Sequence, residues 1–289
     1  MNKFIHSNLL KLKDKKIPNA ELDLKILLRH ASKSKKEIIL SNIDFKDIDF
    51  KYLDTLVEKR LNNEPVSKII KKKYFWKHEF FVNKDVLDPR PETEIIIEEV
   101  LKNIKDSNEP LKILDIGTGT GCLAISLAKE LKNSKITAID VSDKALKVAQ
   151  RNVNYHKLSN QIELKLIEFH EINNKFDFIV SNPPYIRKSD YKELQLEILK
   201  FEPKIALLAG KDGLKFYRLF ARNIEKIMKK NSFFIFEIGH DQLVSCQDIF
   251  KDSNLILKKI SKDIQKIDRT LTFLKIWVEF ILVIYIERL

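Results

Sequence analysis

Apolar positions change their spacing twice along the chain. Over the first eighty residues they recur at helical intervals: Leu22, Ile26, Leu27 and Ala31 make one set, and Leu53, Leu56, Val57 and Leu61 another. Polar breaks at 32–36 and 42–49 separate them, so the spacing predicts a small bundle of short helices. Residues 74–86 alternate aromatic or β-branched side chains with polar ones, which predicts a hairpin or an extended linker. Asp88-Pro89-Arg90-Pro91-Glu92-Thr93-Glu94 follows. Its prolines fix an extended backbone, Pro91 suits a first helical turn, and Glu92 and Glu94 favour the positive N-terminus of a helix predicted over 92–104.

From Leu111 onward, apolar runs of strand length alternate with helical stretches. Strands are predicted at 112–116, 135–140, 162–167, 176–181, 232–238, 255–259 and 270–276, with helices at 121–131, 145–156 and 215–228. Strands joined by helical crossovers make a doubly wound, mostly parallel sheet. The expected fold class is therefore α/β, Rossmann-like, with seven strands and a small N-terminal α-helical domain.

The first predicted strand ends in Gly117-Thr118-Gly119-Thr120-Gly121 and a helix follows. Ligands of doubly wound sheets bind at the carboxyl ends of the strands, and glycines let a ligand approach the backbone closely. The spacing is neither the dinucleotide fingerprint nor a P-loop. Asp140 ends the second strand, where a carboxylate can accept both hydroxyls of a ribose. Asp115, ahead of the glycines, can hold the ammonium of an amino acid directly or through water. A ribose joined to an amino acid points to S-adenosylmethionine. An ordinary tight turn is the competing reading, and the two acids weigh against it.

Asn182-Pro183-Pro184-Tyr185 follows the fourth predicted strand. A methyl on a sulfonium is already activated, so an enzyme must chiefly present its nucleophile in line. Planar nitrogens are the hard nucleophiles, because their lone pair is delocalised. The Asn182 side-chain oxygen and the Pro183 carbonyl can accept both protons of an NH2 group. Prolines stiffen the loop, and Tyr185 offers a flat face to a planar amide or base. This is electrostatic positioning of the kind that carries much of catalysis. Glu168-Phe169, after the third strand, is placed where an adenine ring would lie. A core phenylalanine at a strand end is the equal alternative there.

Composition narrows the class. The chain has 289 residues, 44% apolar and 33% charged, which describes a globular protein and not a disordered one. No apolar run reaches membrane-spanning length, and the first residues lack the apolar core of a secretion signal, so a cytoplasmic enzyme is expected. Two cysteines, Cys122 and Cys246, exclude a disulfide scaffold and a cysteine-rich zinc site, and no metal is expected. The net charge of +12 hints at an acidic partner, but 44 Lys stand against 9 Arg, and Arg is the usual reader of phosphates. Residues 1–88 hold 20 basic and 13 acidic residues, a net +7. That excess is read either as a solvated face or as a docking surface.

The motifs carry a resemblance. ILDIGTGTGCLA at 113–124 and SNPPYI at 181–186 are similar to class I methyltransferases that act on amide or exocyclic nitrogen. DPRPETE at 88–94, FEPKIALLAGKDGLKFYR at 201–218 and FEIGHDQ at 236–242 resemble the bacterial peptide-chain release factor glutamine methyltransferases. The resemblance implies N5-methylation of the glutamine in the Gly-Gly-Gln loop of release factors, with S-adenosylmethionine as methyl donor. Carried onto this chain, cofactor contacts fall on Asp115, Gly117, Thr118, Gly119, Thr120, Gly121, Asp140, Phe169 and Asn182. Phe169 stands where the family often has Trp. The substrate glutamine would lie among Asn182, Pro183, Pro184 and Tyr185, with Asn182, Pro183 and Tyr185 as the catalytic set.

The implied organisation is a release-factor-docking helical domain at 1–72, a linker at 73–90, a methyltransferase domain at 91–276 and an atypical apolar tail at 277–289. The tail is read as an extended final strand, a frameshifted terminus or an interfacial anchor. A monomer with a protein substrate, needing no nucleic acid and no membrane, is expected. The alternatives are a nucleic-acid methyltransferase acting on adenine N6 or guanine N2, a glutamine methyltransferase of ribosomal protein L3, and a non-catalytic S-adenosylmethionine-binding partner protein.

Overall fold

The computed structural model describes residues 3–33 and 45–276, and the predicted readings of the 277–289 tail lie outside them. The chain divides into two compact units. One comprises Met1–Lys72 with Leu194–Glu202, and the other Lys73–Glu193 with Pro203–Leu289.

The first unit is helical. Its described helices are α1 (Lys3–Asp14), α2 (Ala20–Ala31), α3 (Phe50–Leu61), α4 (Val66–Ile70) and, from the later stretch, α8 (Leu196–Phe201). Asp49 caps α3, its carboxylate accepting from the Tyr52 N–H at 2.9 Å. The buried stripe of α2 is Leu24, Leu27, Leu28 and Ala31. The spacing from Leu22 shares Leu27 and Ala31 with this stripe, but Leu22 itself is 56% exposed. Two residues from Leu24 is about 200° around a helix, so the two leucines point opposite ways.

In the second unit a hairpin of β1 (Lys72–Phe75) and β2 (His78–Phe81) precedes α5 (Glu94–Lys102). The strands that follow are β3 (Lys112–Ile116), β4 (Lys135–Asp140), β5 (Ile162–Leu166), β6 (Phe176–Ser181), β7 (Met228–Glu237), β8 (Leu255–Lys262) and β9 (Asp268–Lys275). They form one sheet in the order β5-β4-β3-β6-β7-β9-β8. Its first five members run parallel, while β9 is antiparallel to both β7 and β8. Helices α6 (Cys122–Glu130), α7 (Asp143–Tyr155), α9 (Lys215–Asn223) and α10 (Leu243–Phe250) complete the unit. Ile113, Val180 and Ile235 lie in one apolar cluster, and Leu114, Ile179 and Phe236 in another. Strands buried on both faces read as continuous apolar runs for this reason.

Several predicted boundaries shift, most of all at the end of one helix. The helix expected over 215–228 stops at Asn223, a 3-10 turn covers Ile224–Ile227, and β7 already begins at Met228. Pairing with β6 is irregular there, and Asn231 adopts a left-handed φ of 55°. Asn tolerates that conformation better than most residues, which lets the polar start of the strand bulge.

Register sets the site. Ile116 pairs with Ile139 on one side and Ser181 on the other, and Ser181 pairs with Phe236. The next residues, Gly117, Asp140, Asn182 and Glu237, therefore stand in a row at the carboxyl edge of the sheet.

Candidate active site

The glycine loop is built on hydrogen bonds to its neighbours. The N–H groups of Gly117 and Thr118 both donate to the Ile139 carbonyl at 2.9 Å, and Gly121 N–H donates to the Thr118 carbonyl at 2.8 Å. Gly119 N–H donates to Asp140 Oδ2 at 2.9 Å, and Ser142 N–H to Asp140 Oδ1 at 2.9 Å. Gly119 has φ +55°, and a Cβ there would meet nothing within 4 Å. Its glycine thus serves backbone conformation and leaves open ground for a ligand. Thr120 is buried, and its carbonyl accepts from Asn152 Nδ2 at 2.9 Å. Asn152 also exchanges hydrogen bonds with the backbone of Phe81, so α7 ties the hairpin to the loop.

Asp115 lies buried behind this loop. Its Oδ2 accepts from Thr118 Oγ1 at 2.6 Å, while the buried Oδ1 has no hydrogen-bond partner. Burial pushes the carboxyl up to about 7, against the lowering effect of the Thr118 bond. Asp140 is also raised by burial, while the backbone N–H bonds it accepts act the other way. Phe169 is 6% exposed and packs edge-on against Phe220, ring centroids 5.3 Å apart. Only a margin of its ring remains for a base.

The acceptor side is held by residues to which the sequence reading gives no role. Asn182 Nδ2 donates to Thr93 Oγ1 at 2.8 Å, and Thr93 Oγ1 donates to Glu237 Oε2 at 2.6 Å. The Tyr185 hydroxyl donates to Glu237 Oε1 at 3.3 Å. Burial pushes the Glu237 carboxyl up to about 7 and raises the Tyr185 phenol above its ordinary value. An asparagine's oxygen and nitrogen are told apart by their partners. Thr93 has one proton and gives it to Glu237, so it must receive one from Asn182. One N–H of the amide is thereby given to Thr93, and Oδ1 is left to accept.

A second brace holds the loop's far end. Gln242 Nε2 donates to the Tyr185 carbonyl at 3.0 Å and to the Gly213 carbonyl at 3.3 Å. Its Oε1 accepts from the Tyr217 hydroxyl at 2.9 Å and from Gly239 N–H at 3.0 Å. Pro183 is buried, while Pro184 and Tyr185 are half-buried. The structure thus gathers Gly117 to Gly121, Asp140 and Asn182 to Tyr185 along one sheet edge, with Asp115 behind the loop and Phe169 in the core.

Known proteins are similar to this chain. The methyltransferase small domain matches residues 83–203, and the PrmC N-terminal domain matches residues 9–70. A release factor glutamine methyltransferase of Buchnera aphidicola is 36% identical over 263 residues, covering 90% of this chain and 94% of that protein. The chain belongs to the release factor glutamine methyltransferase family. A bifunctional methyltransferase of Rickettsia bellii is 36% identical over 304 residues, covering 94% of this chain but 54% of that protein. The chain thus spans about half the length of the first of its curated relatives. Among solved structures, the hMettl16 catalytic domain bound to a MAT2A 3'UTR hairpin has a TM-score of 0.55 at 17% identity. It covers 67% of this chain and 74% of that one, and shows a shared fold.

S-adenosylmethionine is the family member's cofactor, and the site fits it. Asp140 keeps lone pairs for ribose hydroxyls, the unpartnered Asp115 Oδ1 suits a cationic amine, and the glycine loop offers open backbone. The family segments DPRPETE and FEIGHDQ now acquire physical roles through Thr93, Glu237 and Gln242. Among the described residues no cluster of His, Cys, Asp or Glu could hold a metal ion, and no helix is long and apolar enough to cross a membrane.

Proposed function

We propose that the protein transfers a methyl group to the side-chain amide nitrogen of the glutamine in the Gly-Gly-Gln loop of peptide-chain release factors. The observation that carries this reading is the oriented Asn182 amide, fixed through Thr93 and Glu237. The glycine loop, Asp115 and Asp140 would hold S-adenosylmethionine, which would supply a methyl on a sulfonium whose sulfur keeps the S–C electron pair.

The chain's own residues prepare the nucleophile. Asn182 Oδ1 accepts one N–H of the substrate amide, and the Pro183 carbonyl accepts the other. Two accepted bonds raise electron density on nitrogen and turn its lone pair toward the methyl. Tyr185 packs against the planar amide, its hydroxyl anchored on Glu237. The extra proton leaves the nitrogen for water after transfer, so no strong base is required. Residues 1–72 are assigned to docking of the release factor, and the net +7 of residues 1–88 favours an acidic face on that partner.

The test offers labelled methyl donor to intact release factor, to its Gln→Ala variant in the Gly-Gly-Gln loop, to DNA and to ribosomal RNA. Label is expected in the intact release factor and in no other substrate. Label in nucleic acid alone would overturn the reading.

A further inference from the structure

One short stretch of chain, beginning nine residues after Tyr185, belongs to the helical unit. Leu194–Glu202 leaves the methyltransferase unit after Glu193 and rejoins it at Pro203. Its helix α8 has no fully buried residue, though Ile198, Leu199 and Phe201 are half-buried. Charge ties it to the bundle as well. Arg60 Nη2 donates to Glu197 Oε1 at 2.7 Å across 137 residues of sequence, and Arg60 Nε donates to Asp23 Oδ2 at 2.7 Å. The Arg60 side chain is 4% exposed, and Glu197 is 24% exposed. Both carboxylates share one guanidinium, whose planar fork can serve two partners at once. Burial raises the Asp23 carboxyl, and the nearby Glu197 charge adds to that rise.

The two limbs of this excursion are tied together beside the acceptor loop. Ile186, the neighbour of Tyr185, donates its N–H to the Leu207 carbonyl at 2.9 Å and accepts from Ala209 N–H at 2.9 Å. Lys188 N–H donates to the Gly210 carbonyl at 3.0 Å. Residues 186–193 and 203–210 thus join α8 through the chain to the end of Asn182–Tyr185.

We propose that Arg60 and Glu197 are positioning residues that couple the helical unit to the acceptor loop. A release factor held by the helical unit then steadies the loop that receives its glutamine. This inference rests on the proposed function. It assigns Arg60 and Glu197 no contact with the reacting atoms.

The experiment compares wild type, Glu197→Ala and Glu197→Gln on two substrates, intact release factor and a short peptide containing Gly-Gly-Gln. Replacing Glu197 leaves the Arg60–Asp23 pair in place, so the bundle keeps its buried charge balanced. With Glu197→Ala, kcat on intact release factor is expected to fall roughly tenfold, the factor that loss of one hydrogen bond to a charged group commonly costs. Peptide turnover and S-adenosylmethionine binding should stay at the wild-type level. Glu197→Gln, which keeps an acceptor for Arg60, should recover part of the loss. Equal losses on both substrates, or none on either, would overturn the coupling while leaving the proposed function standing. A wild-type protein inactive on both substrates would instead overturn the proposed function and the coupling with it.

Discussion

Thr93 and Glu237 share a 2.6 Å hydrogen bond across 144 residues of sequence, and the same threonine oxygen receives the Asn182 amide at 2.8 Å. The direction of each bond follows from a proton count. Glu237 accepts, Thr93 passes its single proton on, and Asn182 must donate. Glu237 thereby sets, through Thr93, which atom of Asn182 is left free to accept.

Thr93→Val tests this most simply, since it keeps the shape and deletes the hydroxyl. It leaves Asn182 free to turn over and Glu237 without its closest donor. Turnover is expected to fall by roughly tenfold or more, short of the ~10²–10³ that follows loss of a polar group touching the reacting atoms. S-adenosylmethionine affinity, measured by calorimetry, should change little, and Thr93→Ser should restore turnover.

Glu237 gives the site a pH dependence. The ionised carboxylate can only accept, whereas the acid can donate to Thr93 and release the orientation of Asn182. With its carboxyl raised to about 7, kcat should rise with pH through that region. Stability moves the other way. A carboxyl raised above its unfolded value favours the fold fully below about pH 4.3, and that contribution is lost as pH climbs toward 7. Buried Asp115, also raised to about 7, adds to the same decline. Denaturant unfolding at pH 4.5 and 7.5 should show the wild type losing more stability over this interval than Glu237→Gln. The same variant should have low turnover at every pH, because its amide can donate to Thr93.

Asp140→Ala removes the acceptor of the Gly119 and Ser142 N–H groups along with the ribose partner. Its dissociation constant for S-adenosylmethionine is expected to rise by about tenfold or more, as for loss of hydrogen bonds to a charged group. An unchanged constant by calorimetry would remove Asp140 from the cofactor site.

Gly213→Ala should damage the acceptor loop from behind. A Cβ at Gly213 would lie 2.6 Å from both Gln242 Nε2 and the Tyr185 carbonyl, and its φ of +78° suits glycine. The variant is expected to bind S-adenosylmethionine normally and to lose most turnover. Equal losses of binding and turnover would point to general unfolding instead.

The strands at the centre of the sheet were legible because burial on both faces writes them as apolar runs. The predicted bounds of 112–116, 135–140 and 176–181 coincide with β3, β4 and β6. The placement of Asp140 and Asn182 was legible because one ends its strand and the other directly follows its strand. Thr93 and Glu237 sat inside quoted motifs without a role, since their bond is a product of register and not of local spacing. The same holds for Arg60 and Glu197, whose pairing nothing near either residue announces. In the helical unit, a helical period alone left the face undecided, and Leu22 went to solvent while Leu24 went inside.

The most direct measurement locates the transferred methyl. Intact release factor is incubated with S-adenosylmethionine and either wild type or Asn182→Ala, then digested and sequenced by mass spectrometry. The account predicts one added methyl on the side chain of the Gly-Gly-Gln glutamine with wild type, and almost none with Asn182→Ala despite near-normal cofactor binding. A methyl on any other residue, or equal methylation by the two proteins, would contradict it.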